Sequence, residues 1–119
     1  MISRLLGALA LLVFGSGLAE AHAYPKSAEP VASSVVKAAP GAVTIAFSEA
    51  LEPQFSTLTV VDAAGNGVDL GDAAVAPADA KRLSVHLRPL GPGVYKVAWH
   101  VTSVDAHKTE GSYSFTVAP

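Results

Sequence analysis

Four stretches of this chain alternate apolar and polar residues with a period of two, and that pattern leaves room for little but sheet. Val43, Ile45 and Phe47 alternate with Thr44, Ala46 and Ser48, and Leu83, Val85 and Leu87 with Ser84, His86 and Arg88. Further on, Tyr95, Val97, Trp99 and Val101 alternate with Lys96, Ala98 and His100, and Tyr113, Phe115 and Val117 with Ser112, Ser114 and Thr116. Successive side chains of a strand point to opposite faces, so each stretch can bury one row and leave the other to solvent. A helix would scatter the same residues around its axis. One more strand is expected over Phe55–Asp62, two weaker extended pieces before Pro40 and another near Val68–Val75. Pro40-Gly41, Ala63–Gly67 and Leu90–Gly93 supply the Gly, Pro and Asn that turns require. Gly71–Ala80, rich in Ala and Asp, reads as a loop. About seven short strands and no helix predict an all-β fold, an antiparallel Greek-key β-sandwich or barrel, immunoglobulin-like in outline.

Residues 1–21 stand apart from this pattern. Arg4 precedes an apolar run from Leu5 to Phe14, Gly15–Gly17 interrupt it, and Ala19-Glu20-Ala21 gives the small-x-small pattern of a signal-peptidase site. The run is too short to span a bilayer as a mature helix. The expectation is an exported protein: a signal peptide over 1–21, cleaved after Ala21, and one domain over 22–119. The mature form is expected to be soluble, with no membrane span.

Composition removes several function classes. There is no cysteine, which excludes a disulfide framework, thiolate metal sites and thiol redox chemistry. The single methionine is Met1, so the mature chain has no sulfur ligand at all. Net charge is −2 and the eight Lys and Arg residues form no basic block, which argues against nucleic acid as a partner.

The four histidines separate by position. His86 and His100 fall in the polar rows of their strands and read as solvated surface imidazoles. His22 differs, because cleavage after Ala21 gives it a free α-amine beside its own imidazole. Their reference pKa values of about 8 and 6.5 let both act as neutral donors near neutral pH, and amine and Nδ1 can close one chelate ring. Asp105-Ala106-His107 is the second element. In an extended segment, residues i and i+2 project to one side, so carboxylate and imidazole can converge on one ion. Together these residues offer an amine, two imidazoles and a carboxylate. Sulfur-free nitrogen and oxygen donors of this kind suit tetragonal Cu(II), which also heads the affinity order of divalent metals. Zn(II) accepts the same donors in a tetrahedral arrangement.

With those residues in view, the chain resembles the CopC (CopC/YobA-like) family of periplasmic copper-binding proteins. The resemblance spans residues 22–119. It rests on the N-terminal His22, on Phe47-Ser48-Glu49 with Leu51 and Gln54-Phe55-Ser56, and on Gly93–Trp99. Ser103-Val104-Asp105-Ala106-His107 and Gly111–Phe115 complete it. It implies a β-sandwich with a Cu(II) site from His22, Asp105 and His107, with Glu49 matching a family acidic residue beside that site. It also implies a periplasmic location, a role in copper resistance or uptake, and a CopD-like membrane partner. Tyr95 and Trp99 match family core positions. Two departures stand out. Asp62–Leu70, where some members carry a Met-rich Cu(I) site, has neither Met nor His, which predicts a single Cu(II) site. Lys108 stands where the family often has Pro.

Binding without catalysis is the leading expectation. The alternative is an oxidative copper enzyme of the histidine-brace type, as in lytic polysaccharide monooxygenases. Against it, Asp105 would fill the position that such enzymes keep open for oxygen. The aromatic residues Tyr95, Trp99, Tyr113 and Phe115 also lie in inward rows and form no exposed platform. A third reading, a metal-free module for protein contacts, would be removed by tight stoichiometric Cu(II) binding.

Overall fold

The computed structural model describes residues 22–119; the expected signal peptide lies outside the described residues. Eight strands form two four-stranded sheets. They are β1 (Pro25–Glu29), β2 (Val35–Val36), β3 (Ala42–Phe47), β4 (Thr57–Val61), β5 (Ala74–Ala76), β6 (Asp79–His86), β7 (Gly93–Thr102) and β8 (Lys108–Val117). One sheet has the order β1-β3-β6-β5 and the other β2-β8-β7-β4. The chain changes sheet between β1 and β2, β2 and β3, β3 and β4, β4 and β5, and β6 and β7. That repeated crossing makes a sandwich out of neighbours in sequence. The short β2 runs parallel to β8, and every other pairing is antiparallel.

The alternating rows face each other across the sandwich. Val43, Ile45, Phe47, Leu83, Val85 and Leu87 enter the core from the first sheet, and Leu58, Val60, Tyr95, Val97, Val101, Phe115 and Val117 from the second. Full burial of one such aliphatic or aromatic side chain contributes about 1.5–3 kcal/mol, so the two rows dominate stability. Tyr95 stacks on Phe115, with ring centroids 5.6 Å apart, and its hydroxyl donates to the Gly91 carbonyl at 2.7 Å. Trp99 packs at the edge of the core, with Phe47 edge-on at 6.2 Å.

Two expectations change. Phe55 begins no strand: Pro53–Phe55 is a single 3₁₀ turn, β4 starts at Thr57, and Phe55 is 64% exposed. Gly71–Ala80 is not all loop, since β5 and the start of β6 form an irregular hairpin there. Its Ala-rich strands lack the large alternating side chains that mark the others. The two weaker pieces expected before Pro40 are β1 and the two-residue β2.

Candidate metal site

The β7–β8 hairpin does most to organise the site end. Its strands pair over ten positions, from Gly93 with Val117 to Thr102 with Lys108. Residues 103–107 close it. The Ser103 N–H donates to the His107 carbonyl at 2.9 Å, and the Ala106 N–H to the Ser103 carbonyl at 2.8 Å. Ala106 takes φ 73°, in the left-handed region. Asp105 and His107 therefore converge because the backbone turns between them. The extended i,i+2 geometry expected from the sequence is not what brings them together.

His107 Nδ1 lies 3.1 Å from Asp105 Oδ1. An ionised carboxylate only accepts, so a hydrogen bond across this contact requires the proton on Nδ1, which in a neutral imidazole leaves the Nε2 lone pair for another partner. The Ser103 hydroxyl donates to the same Oδ1, and Ser103 itself has no exposed surface. That hydrogen bond, and next the His107 imidazole, hold the Asp105 carboxyl below the usual carboxylate range. Among the described residues, no hydrogen bond or ion pair engages Oδ2.

His22 reaches the same place from the other sheet. It stands three residues before β1, whose Pro25 pairs with Phe47 at the end of β3. The His22 and His107 rings approach to 4.6 Å between centroids, tilted by 46°. Two of the predicted ligands thus meet, and Asp105 is held to one of them. Glu49 follows β3 at this end, but no hydrogen bond or ion pair among the described residues joins it to the other three. Among the described residues, no three His, Asp or Glu side chains already enclose a metal position. The arrangement is an open pair of imidazoles with one anchored carboxylate. Nitrogen and carboxylate donors of this sort match a divalent ion of borderline character.

The sequence reading missed three hydroxyls. Ser103 orients Asp105, Ser48 bridges the backbone of residues 22 and 24, and Thr109 holds the Ala23 carbonyl. For Ser103 and Thr109 a signal was available. Extending the inward rows of β7 and β8 by the same period of two reaches Ser103, Thr109 and His107, polar residues on rows that are otherwise apolar.

Elsewhere the polar residues have other work. A concavity of about 550 Å³ on the outer face of the second sheet is lined by residues including Phe55, His100, Lys108 and Glu110, and by none of the predicted ligands. In the Asp62–Leu70 stretch, Asp62 Oδ1 caps the N–H groups of Ala64 and Asn66 at 3.0 and 2.9 Å. Asp69 takes those of Val60 and Gly71 at 2.8 and 3.0 Å. Both carboxylates are committed to the turn. No helix among the described residues is long and apolar enough to cross a membrane.

Comparison with known proteins places this geometry. The model of the CopC domain matches residues 25–118. The chain belongs to the CopC family. Protein YobA of Escherichia coli strain K12 is 42% identical over 98 residues, covering 82% of this chain and 79% of YobA. The crystal structure of CopC from Methylosinus trichosporium OB3b superposes with a TM-score of 0.77 at 33% identity, covering 82% of this chain and 95% of that one. PcoC, a methionine-rich copper resistance protein from Escherichia coli, superposes with a TM-score of 0.70 at 38% identity, covering 82% and 100%. This CopC-family chain shares that sandwich without the methionines, since its only one is Met1. The family match takes in Glu49, Asp105 and His107 and begins after His22.

Proposed function

We propose that this protein is an exported, periplasmic Cu(II) carrier or buffer that holds one ion through the amine and imidazole of His22 and the imidazole of His107. Asp105 supplies a carboxylate oxygen, and Glu49 stands by as an outer ligand. The observation that carries this reading is the 4.6 Å approach of the His22 and His107 rings, brought together from the two ends of the domain. Two imidazoles that share no strand gain nothing for the core at an exposed end, whereas a shared metal accounts for both. The copper resistance function of the relative PcoC and the sulfur-free donor set point to Cu(II). Cleavage after Ala21 is part of the proposal, because an amide nitrogen ahead of His22 would not offer the same chelate. A CopD-like membrane protein is the proposed partner for copper transfer, in resistance or in uptake.

The reading is one of binding without turnover, and calorimetry on protein beginning at His22 tests it. One Cu(II) should bind at neutral pH. Affinity should fall as pH is lowered, because protons compete with the metal for amine and imidazole. Binding at several equivalent weak sites, or none, would sink the proposal. Sustained peroxide production from ascorbate and oxygen by the loaded protein would instead favour an oxidative enzyme.

A further inference from the structure

An amino-terminal residue has nothing in its own chemistry to fix its position, and the first residues of most domains fray. Here residues 22–24 are tied from both sheets. Ser48, just beyond β3, uses one hydroxyl twice: it accepts the Tyr24 N–H at 3.0 Å and donates to the His22 carbonyl at 3.3 Å. Its backbone N–H donates to the Tyr24 carbonyl at 2.9 Å. From the second sheet, the Thr109 hydroxyl donates to the Ala23 carbonyl at 2.8 Å. Between these ties Ala23 has no exposed surface. Thr109 lies two residues beyond His107, so the strand that follows one imidazole also grips the backbone next to the other.

We infer that Thr109 and Ser48 are positioning residues, a two-sided hydroxyl clamp that presets His22 for chelation. The inference rests on the reading of His22 and His107 as Cu(II) ligands. Without the clamp, the conformational freedom of residues 22–24 would be lost at the moment of binding; with it, that freedom is already lost in the metal-free protein. Ser48 is the weaker arm, since its donor bond is long. Thr109 is the decisive one: it makes the shorter bond, and to a residue that is buried.

Thr109→Val keeps the shape and a methyl group and removes only the hydroxyl. Partners that orient metal ligands are typically worth about 10–100-fold in affinity, and about tenfold is expected here, with Thr109→Ser restoring it. The experiment is a cycle of four proteins, beginning at His22 or with one glycine ahead of it, each with and without Thr109→Val. Cu(II) affinity is read by competition with a chelator, and the ligand set by electron paramagnetic resonance. Expected is a loss from Thr109→Val in protein beginning at His22 and little further loss in the extended protein, whose chelate is already broken. The spectrum of the variant should shift toward that of the extended protein. Equal losses in both backgrounds, or no loss in either, would overturn the clamp. If the added glycine itself changes nothing, the chelate reading fails and the clamp falls with it.

Discussion

Three histidines of this protein sit against carboxylates, and distance alone does not separate the one at the hairpin loop from the two on strand faces. His86 Nδ1 is 2.7 Å from Asp72, His107 Nδ1 is 3.1 Å from Asp105, and His100 Nε2 is 3.3 Å from Glu110. The tightest pair is on a strand. There, Asp72 also accepts the His86 backbone N–H at 2.9 Å, and that bond, followed by the imidazole, holds its carboxyl below the usual range. The carboxylate is closing a loop onto β6. His100 and Glu110 are direct cross-strand partners on the outer face, an exposed pair of a kind worth about 0–1 kcal/mol. Of these three pairs, among the described residues, only that of His107 has a second imidazole beside it and a carboxylate set by a buried hydroxyl. What marks a candidate site is convergence from separate segments onto a fixed scaffold. A histidine near an acid is common surface chemistry.

The comparison breaks most easily at the histidines. His107→Ala should lower Cu(II) affinity by at least about a hundredfold, more than the loss of an orienting partner brings. His86→Ala and His100→Ala should leave it unchanged. Competition titration of the three variants decides it. If His100→Ala weakens binding as much as His107→Ala, copper sits in the outer-face groove and the loop reading is wrong.

A smaller effect is expected at the base of the hairpin. A Cβ at Gly111 would lie 2.3 Å from Trp99 Cζ2 and 2.7 Å from Cη2, so the indole lies directly on the glycine backbone. Gly111→Ala must displace the partly buried Trp99 ring. Overpacking of this sort destabilises by about 1–3 kcal/mol. Urea unfolding should show that loss, with a shift in Trp99 emission. Wild-type stability would mean that the ring moves freely and that the hairpin is less rigid than its loop requires. The strand-face pair His86–Asp72, on the other sheet, should not respond.

How much of this was legible in the sequence follows from what a period can carry. The rows of Val43, Leu83, Tyr95 and Phe115 were readable because each buries three or four large side chains at strict alternation. β5 and β2 were legible only as weak extended pieces, because Ala74, Val75 and Ala76 offer too little apolar contrast and β2 is two residues long. For the site, residue types were readable and geometry was not. Asp105 and His107 stood out by chemistry, but the reason given for their convergence was wrong, since no strand rule foresees a left-handed Ala106. The approach of His22 to His107 depends on β1 pairing with β3 while β7 and β8 lie in the opposite sheet. That is a property of topology, and no local pattern encodes it. The clamp hydroxyls lay between the two cases: the position of Thr109 on an inward row was visible, Ser48 fell in a polar row with nothing to mark it, and the partners of both were hidden.

The smallest effect tests the loop itself. An L-residue in the left-handed region carries a penalty of about 1–2 kcal/mol that glycine escapes, while glycine gives up more freedom on folding, about 0.5–1 kcal/mol. Ala106→Gly should therefore stabilise the metal-free protein by up to about 1 kcal/mol, read from the urea midpoint at unchanged slope. Its consequence for copper sharpens the comparison between loop and strand. If the hydrogen bonds from Ser103 and Ala106 already set the loop, affinity stays the same while stability rises. If affinity falls as stability rises, the restriction imposed by the alanine side chain was itself holding Asp105 and His107 in register. A loss of stability would contradict the left-handed turn, and the convergence of Asp105 with His107 would then need another cause.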